Sequence, residues 1–528
     1  MNSKLMLVLH SHIPYVKRQG RWPFGEVWLF EAMAETYIPI LRSLKQLREE
    51  GVNIALTFSF SPTLLEQLAS QYIRREFVNY LVERETLAAE DERYFLSRGE
   101  SEPARIAAFY QRFYRDIRRD FLVEMDMDIV GSLRQLQEEG VIEILTSAAT
   151  HAYLPLLDYT SLQYQVHWGK RVYEHYFGRA PEGFWLPECG YFQGLEDILI
   201  DNGFKYFYVD SHAIEGGKPI EVFSGEESSG FEVETFASTG LSTYRPYRIE
   251  GKDITVYGRN AMISNQVWSA DFGYPGDPDY REFHKHEMRS GFKYWKVTDR
   301  NNSMDRKLVY NPEQAMVRVR QHAQHFVRSL EENSREAKKL GFANPLIVGC
   351  YDTELFGHWW WEGVGWLEEV IRGIHRSSQL EMVTSSHIGP AQHEAQVFES
   401  SCGMGGKHYM WNNSETTWMW EIIKKVGQEY ETLKSLSYDS NLSCRAVTQA
   451  LKELMLIQSS DWLFMVSNNL TRDYAMKRFF DHYTKLLRLS DSLAIGQLNE
   501  EFESWLTRVE YEDDFLNLRN PFGPRSPE

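Results

Sequence analysis

Short apolar runs that stop abruptly in polar residues recur along this chain. LMLVL ends in His10-Ser11-His12, NIALTFSF ends in Ser61-Pro62, and IEILTS leads to Thr150-His151. GFWLP ends in Glu188-Cys189, KYFYV in Asp210-Ser211-His212, ITVYG in Arg259-Asn260 and PLIVGCY in Asp352-Thr353-Glu354. LEMVTSS is a further candidate. Continuous apolar runs of this kind are typical of parallel strands buried on both faces. Helical segments separate several of them. Ile40, Leu41, Leu44 and Leu47 mark one apolar helix face, which Gly51 closes. Strands alternating with helices predict a βα architecture, and polar residues gathered at strand C-termini are what a closed βα barrel produces. The count comes to seven or eight strands.

Two stretches break this rhythm. Residues 66–136, with FYQRFYRDIRRDFL, predict a helical insertion, and residues 213–243, with GEESSG and TFASTG, predict a loop excursion. After residue 405 the strand pattern stops. Ile422, Ile423, Val426, Tyr430 and Leu433 form a helical stripe, which RAVTQALKELMLIQ and AMKRFFDHYTKLLRL continue. The reading is therefore a catalytic-type barrel over 1–404 and a helical domain over 405–528, with a frayed tail at NPFGPRSPE.

Composition narrows the partners. Lys and Arg number 57 against 75 Asp and Glu, a net charge of -18, which repels phosphate backbones and anionic lipid. Nucleic acid and membrane surfaces are thus poor partners, and a neutral substrate fits better. No run approaches the length of a transmembrane helix. MNSKLMLVLHSH reads as a first strand rather than a signal peptide, and the four scattered cysteines read as free thiols, so a cytoplasmic location is expected.

Two strand ends carry carboxylates set among aromatic residues: Glu188 in GFWLPECGY and Asp352 in VGCYDTELFGHWWWEG. Glycoside transfer needs such a pair flanking the bond, about 5–5.5 Å apart in retaining enzymes, one protonating the leaving oxygen and one attacking the anomeric carbon. Strand-end carboxylates also cap helices or pair with arginine, and spacing leaves both readings open. His10 and His12, two apart on a strand, face the same side. They suit a packed core, hydrogen bonds to a sugar, or a Zn²⁺ site completed by Cys189 or Asp210.

Four motifs resemble those of glycoside hydrolase family 57: HSHIP at His10–Pro14, THAYLP at Thr150–Pro155, GFWLPECGY at Gly183–Tyr191 and CYDTELFGHWW at Cys350–Trp360. GRWPFGEVWLFEAMAETYIPIL, QVWS, GYPGDPDYREF and QSSDWLF are similar to its 1,4-α-glucan branching enzyme branch. The resemblance implies an α/β fold, an incomplete (β/α)7 barrel with a helical insertion and an all-helical C-terminal domain. It implies an α-glucan substrate (amylose, glycogen or starch-like), no cofactor and no metal. The family's nucleophile falls on Glu188 and its acid/base on Asp352. His10, His12 and His151 become sugar contacts, with Asp210 and His212 beside them. Arg259 is expected to orient Glu188, with Asn260 where relatives often have Asp. Trp22, Trp28, Trp268 and Trp411 become substrate-binding candidates, Trp268 and Trp411 foremost as stacking faces. Trp418 and Trp420 are expected in the core, Trp359-Trp360-Trp361 at the rim, and Asp461 brought to the cleft by the helical domain.

Two departures bear on the outcome. Cys402-Gly403 stands where branching enzymes of this type often carry Trp-Gly, and no Tyr lies between Tyr208 and Tyr244 for an active-site loop. Tyr244 and Tyr247 are badly placed to substitute. Substantial hydrolysis beside transfer is therefore expected. An α-amylase or 4-α-glucanotransferase is the alternative within the family. A metal-dependent carbohydrate deacetylase and a non-catalytic glucan-binding protein are the alternatives outside it.

Overall fold

The structure is a computed structural model that describes residues 2–21, 24–219, 235–269, 272–436, 438 and 440–516. The strands are β1 (Ser3–Ser11), β2 (Leu56–Phe60), β3 (Ile142–Ser147), β4 (Gly183–Trp185), β5 (Tyr206–Val209), β6 (Tyr247–Ile249), β7 (Thr255–Gly258), β8 (Leu346–Asp352), β9 (Leu380–Met382) and β10 (Glu394–Ala395). They form one curled sheet in the order β10-β6-β7-β5-β4-β3-β2-β1-β8, with β9 on the start of β1. From β7 to β8 seven strands run parallel, and β6 is antiparallel to β7. Between β7 and β8 the sheet stays open, bridged where the Asn260 N–H donates to the Val348 carbonyl at 2.7 Å. All eight apolar runs are strands. β6 and β10, of three and two residues, were not anticipated.

Alternation along the strands builds the inside of this partial barrel. Met6 and Val8 of β1, Trp185 of β4, Tyr208 of β5, Tyr257 of β7 and Val348 and Cys350 of β8 share one buried cluster. Leu5, Leu7 and Leu9 point the other way, into the core under the helices. Both faces are covered, which is why the runs read as continuously apolar. Extending the interior rows by one step of two residues reaches His10 on β1 and Asp352 on β8.

The insertion is a hairpin of helices Gln71–Ser97 and Ser101–Arg119, flanked by Pro62–Ala69 and Ile129–Glu138. After Ala395 the described residues form helices and no further strand: Thr417–Lys434, Asn441–Ile457, Ser460–Asn468, Arg472–Ala494 and Glu500–Glu512. Arg478 ties this region to the barrel by donating to the Tyr15 carbonyl at 2.6 Å. No helix among the described residues is long and apolar enough to cross a membrane. Most of the expected loop excursion (220–234) and the tail from 517 lie outside the described residues.

Candidate active site

The C-terminal ends of β1, β4 and β8, the THAYLP turn and the QSSD segment of the helical region meet at one mouth. In register, His10 has Asp352 on one side and Ser59 on the other. His10 Nδ1 lies 3.2 Å from Ser59 Oγ and its Nε2 2.9 Å from His151 Nε2. One step on, His12 Nδ1 meets Ser61 Oγ at 2.7 Å and its Nε2 meets Asp461 Oδ2 at 3.0 Å. The His10 and His12 rings lie nearly parallel, 6.3 Å apart, as two residues on one strand face require. His151 stacks on His12 at 3.9 Å, and Trp185 stacks on His10 at 4.8 Å.

Two left-handed turns aim the remaining groups. His151 has φ 54°, and Glu188 and Cys189 have φ 59° and 50°. Such backbone costs on the order of 1–3 kcal/mol per residue and persists only where surroundings enforce it. Here the Cys402 N–H donates to the Glu188 carbonyl at 2.9 Å. The Glu188 carboxylate keeps 27% exposure, with Oε1 4.0 Å from His151 Nδ1 and Oε2 3.8 Å from the Cys402 thiol. The position where the resemblance lacks its Trp thus adjoins Glu188 itself.

Electrostatics separate the carboxyls. Burial raises Asp352 to about 6, although Arg259 and His12 draw it back. Burial also raises Glu354 to about 8, against a hydrogen bond from Tyr37 and with help from Asp352. Glu354 Oε1 accepts from the His12 N–H at 3.1 Å and from the Tyr37 hydroxyl, which a π-helical turn at Met33–Tyr37 delivers. Burial opposes ionisation of Asp210, but Arg259 and His212 outweigh it and hold the carboxyl well below the usual range. The Asp210–Arg259 pair is buried and 2.5 Å apart. Asp461 is likewise lowered, burial being outweighed by His12 and Ser459. Desolvation lowers His10 and His151, so both rings are neutral near pH 7. The Asp352 carboxyl keeps its proton below about pH 6 and loses it as pH rises through that value. With Arg259, His12 and Glu354 as the facing groups, kcat/KM is expected to decline above about pH 6, read from a pH–rate profile on maltoheptaose.

The sequence candidates divide. His10, His12, His151, Glu188, Asp352 and Asp461 come together here, and Arg259 joins through Asp210 and the field on Asp352. Trp411 does not offer a stacking face: it is 1% exposed and lies flat on Tyr153 at 4.1 Å. Trp28 packs edge-on against Tyr474 at 5.6 Å, and Trp268 ends the helix Ala261–Trp268 half-buried against the core. Trp418 and Trp420 pack against the core as expected, Trp359 is exposed and Trp360 buried. Trp22 lies outside the described residues. Tyr247 is buried in β6, and the Tyr244 carbonyl binds Leu346 at the start of β8, the end of the strand away from Asp352. His10 and His12 form no ligand trio with Cys189 or Asp210. The one trio of His, Cys, Asp or Glu among the described residues within metal-binding reach is Glu453, His482 and Asp513, into which Arg478 and Lys485 already bond. Ser59, Ser61, Ser460 and Glu354 were missed. FSFSP repeats the two-residue spacing of HSH, and the β1–β2 register sets the two pairs side by side.

A sequence profile described as glycosyl hydrolase family 57 matches residues 6–399. The chain belongs to glycosyl hydrolase family 57. A second profile, 1,4-alpha-glucan branching enzyme, C-terminal, matches residues 422–520 of this family 57 chain. The 1,4-alpha-glucan branching enzyme TK1436 of Thermococcus kodakarensis is 37% identical over 545 residues, covering 99% of this chain and 78% of the relative. The crystal structure of a GH57-type branching enzyme from Pyrococcus horikoshii superposes with a TM-score of 0.88 at 36% identity, over 100% of this chain and 99% of that one. The α-amylase AmyC of Thermotoga maritima gives 0.84 at 30% identity, over 98% of each chain. The family 57 fold agrees with the partial barrel and helical C-terminal region described above.

Proposed function

We propose that this family 57 chain is a retaining 1,4-α-glucan branching enzyme with Glu188 as nucleophile and Asp352 as general acid/base. The observation that carries the reading is the pairing, at one mouth, of a solvent-touched Glu188 with an Asp352 raised to about 6 by burial. The Asp352 carboxyl protonates the glycosidic oxygen while Glu188 attacks C1, releasing a 4-OH chain end and leaving a glycosyl ester. The Asp352 carboxylate then takes the proton of an acceptor 6-OH, whose oxygen attacks C1 and expels Glu188. His10, His12 and His151 form a stacked, hydrogen-bonded wall beside the sugar held between the carboxyls, with their ring nitrogens engaged by one another, by serines and by Asp461. Asp461 and the three serines, Ser59, Ser61 and Ser460, fix those rings.

The branching choice over an amylase rests on the higher identity to relatives named branching enzymes. Water competes with the 6-OH for the ester, and Cys402, whose thiol lies 3.8 Å from Glu188 Oε2, offers no indole face to exclude it. Incubation with amylose followed by a debranching enzyme is expected to release new short chains, together with reducing ends from hydrolysis. Reducing ends without new short chains would replace branching by the amylase reading.

A further inference from the structure

The motif GYPGDPDYREF takes no part in that chemistry, yet it walls a second cavity of about 520 Å³. The cavity lies between the end of helix Ala261–Trp268, residues 272–278, residues 299–301 and one face of helix Pro312–Lys339. That first helix sets Ile263 against Gly349 and joins the core under the outer face of β8, so the cavity is outside the barrel wall. None of its lining residues belongs to the catalytic mouth.

The lining is preformed. Arg300 donates to the carbonyls of Gly273 (2.7 Å) and Gly276 (3.0 Å), and a Cβ at Gly276 would lie 2.2 Å from the guanidinium Nε. Asp277 is held by Arg318 at 2.7 Å. The Tyr274 hydroxyl meets Nδ1 of exposed His325 at 2.7 Å. Phe272 stands at the lip, 60% exposed. Among the described residues the side-chain amides of Gln266 and Asn301 have no hydrogen-bond partner.

An exposed aromatic face, unpartnered amides, an imidazole edge and locked charges together suit a neutral polyhydroxyl ring: apolar face on the phenyl, hydroxyls on the amides. We propose that this cavity is a second α-glucan site, which grips a remote segment of the polymer whose other segment lies in the mouth. The inference rests on the α-glucan reading above. Two grips on one polymer raise the effective concentration of the chain at the mouth, a gain that a short oligosaccharide does not share.

The test is affinity electrophoresis in glycogen, paired with kinetics on maltoheptaose, for wild type, Phe272→Ala and Asn301→Ala. The expected result is an apparent Kd for glycogen about three- to tenfold higher in Phe272→Ala, with kcat and KM on maltoheptaose unchanged. Asn301→Ala, on an exposed turn, should move the same way and covers a Phe272 variant that fails to fold. Unchanged glycogen retardation in both variants overturns the proposal, as does a parallel loss of maltoheptaose turnover. A wild type that neither binds glycogen nor turns over maltoheptaose would instead sink the α-glucan reading itself.

Discussion

Glu188→Gln is expected to cut turnover of amylose by about 10⁴-fold or more while leaving glucan binding near wild type. The amide has the size of the carboxylate and leaves the backbone bond from Cys402 in place, so the mouth keeps its shape. It cannot form the ester. Stereochemistry makes the assignment sharper. With α-maltosyl fluoride, azide added to Glu188→Ala must attack C1 from the empty nucleophile side and give a β-azide. In Asp352→Ala the ester still forms, because fluoride leaves without a proton, and azide then displaces Glu188 to give an α-azide. The same anomer from both variants would refute the division of roles.

Arg259→Met is expected to lower the free energy of unfolding by about 3–5 kcal/mol, because it strands the Asp210 carboxylate, 2% exposed, without its counter-ion. Asp210 is held low, so its stabilising contribution is full at neutral pH and disappears as pH falls through its folded-state value. The double variant Asp210→Asn/Arg259→Met should recover most of the loss, which urea titration reads directly. Arg259 also restrains the upward shift of Asp352. Its removal should therefore move the alkaline limb of the pH–rate profile to higher pH. A variant as stable as wild type, with an unmoved limb, would mean that the pair is incidental.

How much of this was legible depended on range. Each long apolar run signalled a strand because both of its faces are buried, and the two-residue spacing of HSH and of Cys350 and Asp352 at the end of β8 pointed His10, His12 and Asp352 inward. β6 and β10 were too short for any period to register. The positive φ of His151 and Glu188 left no mark, since nothing in a non-glycine residue announces a conformation that distant contacts impose. Trp411 departs from expectation for a similar reason. A tryptophan in a matching segment looks available until the fold sets Tyr153 flat upon it. Glu354 sat within a quoted motif, but its partner Tyr37 comes from a π turn that the helical pattern conceals.

The bonds from Ser460 to His151 and from Asp461 to His12 set an order on biosynthesis. A ribosome delivers the barrel first, at roughly 5–20 residues per second, and both imidazoles wait without these partners until the late helices emerge and fold back. The mouth thus takes its final form only once Ser460 and Asp461 have emerged and packed back onto the barrel, so a nascent chain stopped short of them lacks the groups that hold both rings.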